Sequence, residues 1–376
     1  MNNCPSIVLA LAISFSRRLV GLFLCLLAST GAMAQSINTD AVTRFWQLTD
    51  ELRQNRPIAD KDWTEFINLP GNKTYIRNTF LPDPLSVYSL ESYRKALETV
   101  YMPKNDSLRR IKLRDKVAPY VLANEYKERE AEYREYIQQT IQSPQYIALM
   151  YTLAYEYLPA ASHTKVPDLK MYYTAIGDGA TSQQEGIFYS LKAVVDHDKA
   201  KPGIVEAHEM HHQLVPTKDF GTVAPEDKGL FWALRGIRSE GIADLIDKTP
   251  MYQVPGDPHR VQAQFLTPAP RSIQRLDSLL QSVAKLGAPA KKPATYYQRI
   301  LHSAGHVPGC YMARVIEANG YRKELIAHID NPFAFVRLYQ KAAQKDATHP
   351  PQFSKDTMNY LAAVEKAYSQ PAPKKS

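Results

Sequence analysis

His208-Glu209-Met210-His211-His212 reads as about one and a half turns of helix. Residues four apart lie nearly one above the other on an α-helix, so His208 and His212 project from one face. Two imidazoles stacked in this way can reach a single metal ion, with Zn–N bonds of roughly 2.0–2.1 Å. Glu209 lies about 100° further round the helix, beside such an ion rather than on it. From there a carboxylate can take a proton from water. His211 falls about 60° short of His212 round the helix; it is a possible ligand, and the expected place for it is next to the ligands or facing the cleft. The approach Ile204-Val205 and the continuation Leu214-Val215 extend the apolar side, and Pro202 suits a first helical turn.

A third ligand is needed. Downstream comes Arg238-Ser239-Glu240-Gly241-Ile242-Ala243-Asp244-Leu245-Ile246-Asp247. Glu240 and Asp244 are again four apart, hence on one face of a second helix. The economical assignment makes Glu240 the third metal ligand and Asp244 the acceptor that holds a ligand histidine by its other ring nitrogen. Gly241 and Ala243 are small enough to let this helix pack closely on the first. Asp219 and Asp227 are the runner-up ligands, each in the Pro/Gly-containing stretch Pro216 to Gly229 that reads as loop. The extended pattern H-E-x-x-H-x-x-G-x-x-H fails here, because it requires glycine and histidine where Val215 and Lys218 stand.

H-E-x-x-H followed by E-x-x-x-D resembles the gluzincin class of zinc metallopeptidases, the thermolysin-like superfamily. More closely, Glu206 to His212, Glu240 to Asp244 and the later His306-Val307-Pro308-Gly309 are similar to a family of secreted zinc-dependent peptidases of uncharacterised function. The resemblance is specific in Glu206–Asp247, extends across about residues 165–345 and is weak in the N-terminal third. It implies a zincin-like architecture, one zinc ion per chain, and hydrolysis of a peptide or protein substrate. No G-x-M-E-N aminopeptidase signature lies upstream, so exopeptidase specificity is not implied.

On this reading His208, His212 and Glu240 hold Zn2+ with one position open for water, and Glu209 is the general base. The oxyanion that forms needs a further donor. His306, in the turn Gly305-His306-Val307-Pro308-Gly309, is the first candidate and Tyr311 the second. Two other classes fit the same residues: a zinc hydrolase of a non-peptide amide or ester, and a non-enzymatic exported helical protein.

The N-terminus reads as a targeting segment. Arg17 and Arg18 precede the apolar run Leu19 to Ala28, and Ala32-Met33-Ala34 supplies a small-x-small cleavage pattern. The run is too short for an anchored span, which needs roughly 20 residues. Cleavage after residue 34 and export to a periplasmic or extracellular location are expected, with no stable membrane anchor left behind. Loss of Arg17 and Arg18 takes the formal charge from +8 to +6, and loss of Cys4 and Cys25 leaves Cys310 alone. A single cysteine makes no intramolecular disulfide, so the core must supply stability. The basic residues are dispersed, which argues against nucleic acid as a partner and permits modest attraction to acidic surfaces.

Elsewhere the periodicity is mainly helical, giving an α+β chain, mainly α with a small β-sheet. Helices are expected over residues 40–53, over Arg109 to Thr140 as one long helix or a pair, and from Ser143-Pro144 to Tyr157. Strands are expected only at Lys170 to Ile176 and Ile187 to Val195. An edge strand there would be a template for an extended peptide. Further helices follow at Pro268 to Leu286, Gly309 to Asn319 and from Asn331-Pro332. The expected organisation is a signal peptide (1–34), an N-terminal helical region (35–165), a zincin-like catalytic region (166–369) and a disordered tail (370–376).

Overall fold

A computed structural model describes residues 35–80, 89–254, 257–261 and 263–369. The expected signal segment 1–34 and tail 370–376 lie outside the described residues. The chain is mainly helical with a small four-stranded sheet, as the periodicity predicts. No helix among the described residues is long and apolar enough to cross a membrane.

The elements that build the site are, in chain order, β1 (Ser36–Asn38), α1 (Asp40–Arg53), α2 (Leu90–Tyr101), α3 (Ala118–Glu128), α4 (Pro144–Tyr155), β2 (Lys170–Thr174), β3 (Ala180–Gln183), β4 (Gly186–Ser190), α5 (Leu191–Asp198), α6 (Ile204–Leu214), α7 (Lys228–Tyr252), α8 (Ala269–Leu286), α9 (His306–Ala318) and α10 (Pro332–Ala343). The sheet runs β1-β2-β4-β3, parallel at the first two junctions and antiparallel at the last. Strand β4 is buried along its whole length and β3 is the half-buried edge. Gly186 is needed where β4 begins, because a Cβ there would lie 2.5 Å from the Lys170 carbonyl oxygen, at φ +146°.

Two expectations change in this region. The apolar run Ile187 to Val195 is half strand and half helix: Ser190 Oγ accepts from the Ala193 N–H at 3.0 Å and caps α5. With only Ser190 and Lys192 polar, the run has no clear period that could reveal this switch. The polar stretch Ala180 to Gln183, outside the expected strands, pairs with β4 from Ala180↔Tyr189 to Gln183↔Gly186. Upstream, the expected long helix over Arg109 to Thr140 breaks into Asp106–Arg114, α3 and Glu130–Tyr136. Lys116 turns with φ +52°, and Pro119 sits in the first turn of α3.

The N-terminal helices hold the β2–β3 turn through buried tyrosines. Tyr93 on α2 donates to the Ala175 carbonyl at 2.8 Å, and Tyr126 on α3 donates to the Gly177 carbonyl at 3.0 Å. The hydroxyl of Tyr75 accepts from the Gly179 N–H at 3.0 Å. These bonds satisfy turn groups that would otherwise be buried unpaired. They fix where the edge strand starts.

Helix α6 begins at Ile204 after Gly203, whose φ of +79° makes it the cap, so Pro202 lies outside the helix. Helix α7 packs on α6 along one side and on α9 along another. Gly241 serves the second contact, not the first as expected. A Cβ on Gly241 would lie 2.4 Å from the Gly309 carbonyl carbon, and one on Gly309 would lie 2.3 Å from the Ile237 carbonyl oxygen. The crossing of α7 and α9 is therefore glycine on glycine. It sets the first turn of α9, which starts at His306 and not at Gly309, against the middle of α7.

Candidate metal centre

Helix α6 points His208 and His212 toward α7, and α7 returns Glu240 between them. Glu240 Oε2 lies 3.5 Å from His208 Nε2 and 3.2 Å from His212 Nε2. The start of α9 adds a third imidazole, with His306 Nε2 at 3.3 Å from the same oxygen. Each ring is fixed through its other nitrogen. His208 Nδ1–H donates to Asp247 Oδ1 at 3.0 Å, His212 Nδ1 lies 3.0 Å from Ser239 Oγ, and His306 Nδ1–H donates to both Asp244 oxygens at 2.9 and 3.1 Å. A metal-ligating histidine characteristically has such a partner, which selects the tautomer and leaves Nε2 as the ligand atom.

This arrangement fits a zinc ion on chemical grounds. Imidazole nitrogens and a carboxylate oxygen are its ordinary donors, and the ring nitrogens face the carboxylate with nothing else to bind. His208, Glu240 and His306 each place a ligand atom within 4.8 Å of the other two. His212 touches Glu240 but stands outside that mutual group. The four side chains therefore offer two overlapping trios, one through His212 and one through His306.

The electrostatics are those of a dense buried array. Burial opposes a charge on His208, but Asp247 and Glu240 outweigh it and raise its pKa well above the ordinary histidine value. His306 is raised in the same way, with burial overcome by Asp244 and then Glu240. Burial would raise Glu240, yet His212, His208 and His306 hold it well below the carboxylate range. Asp247 is also held low against burial, by Lys248 and His208, with Lys248 Nζ at 2.6 Å. Glu209 goes the other way: burial raises its pKa, and the neighbouring histidines only partly offset the rise. Strongly shifted groups in a cleft mark it as a candidate functional site.

The cleft that contains these groups is about 820 Å³, lined by the histidines, Glu209 and Glu240, and on one wall by β3 from Ala180 to Gln183. Gln213, one residue beyond His212, ties that wall to α6 by donating to Ser182 Oγ at 2.6 Å and the Gln183 carbonyl at 2.9 Å. On the opposite wall, Ser303 and Ala304 sit in left-handed backbone with φ of +45° and +55°. A non-glycine pair in that region is strained, and strain of this kind clusters at functional sites.

The expected residues divide as follows. His208, Glu209, His212, Glu240 and His306 come together in one cleft. Asp244 does hold a histidine by its second nitrogen, but that histidine is His306, while its nearer oxygen lies 3.8 Å from His208 Nδ1. His211 is fully buried away from the cleft, with Nε2 3.4 Å from the Tyr157 carbonyl, and burial followed by the neighbouring histidines pushes its pKa well down. Tyr311 is not in the cleft. It is five residues from His306, about 140° round α9, where its charged neighbour is Asp346. Asp219 caps its own loop by accepting from Gly221 N–H, and Asp227 pairs with Lys291 at 2.6 Å, so neither runner-up ligand approaches the centre. Asp247 and Ser239 had no assigned role in the sequence. Asp247 lies seven residues after Glu240 and three after Asp244, so helical spacing alone could have found it. Ser239 carries no such signal.

The family model described as "Putative zinc dependent peptidase (DUF5700)" matches residues 63–348. No curated protein and no solved structure matches the chain. The family match covers well over half of the sequence, and the chain belongs to that family.

Proposed function

We propose that this member of the zinc-dependent peptidase family is an exported gluzincin-type enzyme with a zincin-like architecture. In this reading His208, His212 and Glu240 hold one zinc ion and Glu209 is the general base. The observation that carries the reading is the convergence of two histidines from one helical turn on Glu240, with Glu209 lining the same cleft. Zinc held there supplies Lewis acidity, bringing the pKa of a water toward about 7 and polarising a carbonyl.

The protein groups do the rest. Glu209 accepts the proton of the attacking water and passes it to the leaving amine; its burial-raised pKa makes it a better acceptor than an exposed carboxylate. His306 is oriented by Asp244 through Nδ1, which turns its Nε2 to the cleft, where a protonated ring would donate to the oxygen that gains charge. A catalytic zinc keeps three protein ligands and an open fourth position, whereas all four side chains together would close it. Three of the four therefore act as ligands; the four-residue spacing of His208 and His212 and the 3.2 Å approach of His212 to Glu240 support the trio of His208, His212 and Glu240, with His306 as donor. The free edge of β3 offers backbone groups to an extended peptide by strand addition.

Metal analysis of two variants tests the assignment. His212→Ala should purify without zinc. His306→Ala should retain zinc and a near-normal melting temperature, and lose on the order of 10²–10³ in kcat, as removal of an oxyanion donor does elsewhere. If His306→Ala loses the metal and His212→Ala keeps it, the ligand trio runs through His306 instead. Full occupancy in both variants would refute the ligand set.

A further inference from the structure

Beyond Glu240 the cleft opens into a second cavity of about 900 Å³. Ser239, Glu240 and Ala304 line both spaces, so a chain lying across the candidate metal centre can continue into it. One wall is a single stripe of α7: Lys228, Trp232, Arg235 and Ser239 follow the spacing i, i+4, i+7, i+11. From the helical rise, Arg235 lies about 7.5 Å and Trp232 about 12 Å along the axis from Glu240. At about 3.3 Å per residue of extended peptide, these distances correspond to the second to fourth residue from the bond over the metal.

Arg235 stands out on this wall. Its guanidinium carbon rests 5.6 Å from the Phe231 ring centroid, and its Nε is buried without a hydrogen-bond partner. It makes no ion pair among the described residues. Arg238, one turn on, also lines the cavity and has a buried Nε without a partner, but its side chain is buried and its Nη1 donates to the Ile329 carbonyl at 2.6 Å. Asp227, the acid at the head of α7, is matched by Lys291 and by the Tyr368 hydroxyl. The wall is thus cationic, with an aromatic floor and an unpaired planar fork. A guanidinium in that state is complementary to a carboxylate, which it can take in a two-pronged, charge-assisted bond.

We propose that this cavity is a specificity pocket that holds a carboxylate of the substrate on Arg235, with the adjoining aliphatic chain against Trp232. The proposal rests on the peptidase reading. It makes the preferred substrate an acidic peptide or one ending nearby in a free carboxylate. The net basic charge of the chain suits such a ligand through long-range attraction.

Peptides identical except at the residues flanking the cleavage point decide it. At the second to fourth residue on either side of that point they carry Gln, Glu or Lys, each with a free or an amidated C-terminus. Binding is read by calorimetry on metal-free protein and cleavage on zinc-loaded protein. Carboxylate-bearing peptides should bind about 10- to 100-fold more tightly than their neutral counterparts, and the margin should shrink at high salt. Arg235→Glu should turn the preference toward lysine, and the milder Arg235→Gln should abolish it. The wild-type series alone decides the matter if either variant fails to fold. Preference for Glu in amidated peptides assigns the side chain; preference only with a free end assigns the terminus. Equal affinity across the series overturns the proposal. Carboxylate preference in binding without cleavage of any peptide removes the peptidase reading and leaves the pocket. Cleavage without preference does the reverse.

Discussion

Glu209 and Glu206 lie three residues apart on α6, both buried, and their surroundings differ completely. Glu209 lines the cleft among His208, His212 and His306, and these neighbours partly offset the effect of its burial. Glu206 faces the packed side, where Tyr146 and Tyr173 donate to its Oε1 at 3.0 and 3.3 Å and its Oε2 has no partner. Burial and the neighbouring Asp198 raise its pKa well above the usual value. Burial raises both carboxyls, so burial alone does not make a base. What separates them is whether the cleft and counter-charge reach the group, and only Glu209 has both.

The comparison is broken most sharply at Glu209. Glu209→Gln should keep fold and zinc and lose about 10²–10⁴-fold in turnover, because an amide cannot accept the proton. A loss below about tenfold would show that Glu209 is no more a base than Glu206. A smaller effect is expected one layer behind the ligands. Asp247→Asn removes the charge that orients His208 and should weaken zinc about 10- to 100-fold in a chelator competition, as outer partners of metal ligands typically do. Unchanged affinity would mean that His208 is oriented by packing alone.

The smallest effect lies on the packed side. Glu206 binds its proton more tightly in the folded than in the unfolded chain, where a glutamate titrates near about 4.3. The folded state therefore loses stability as pH rises above that unfolded value, up to the folded pKa, and the penalty is absent below it. Glu206→Gln carries no charge and can still accept from both tyrosines. It should raise the melting temperature by roughly 2–4 °C at pH 8 and leave it unchanged at pH 4. An equal shift at both values would show that the effect is packing and not titration.

Much of the cleft was legible because its spacing is local. The interval of four residues puts His208 with His212, and Glu240 with Asp244, whatever surrounds them. The apolar period likewise located α1, α4, α8 and α10 to within a few residues. Signals failed where two structures share one composition. The run Ile187 to Val195, apolar but for Ser190 and Lys192, changes from strand to helix at a serine cap, while the polar residues of β3 become a strand only because β4 lies beside them. Tyr311 is close to His306 by number, but five residues of helix turn it to another side.

By itself, the sequence determined the donor types, the shared helix faces and the mainly helical class, since all three depend on contacts within one or two turns of chain. Only the tertiary structure decided which histidine each carboxylate holds. Asp244 goes to His306 and Asp247 to His208 because Gly241 and Gly309 let α7 and α9 cross at backbone contact. The same packing decided that Arg238 is bound to backbone carbonyls, while Arg235, on the same cavity, makes no ion pair among the described residues. These pairings join residues distant in sequence. Their energies depend on distances of a few ångströms that no local spacing encodes.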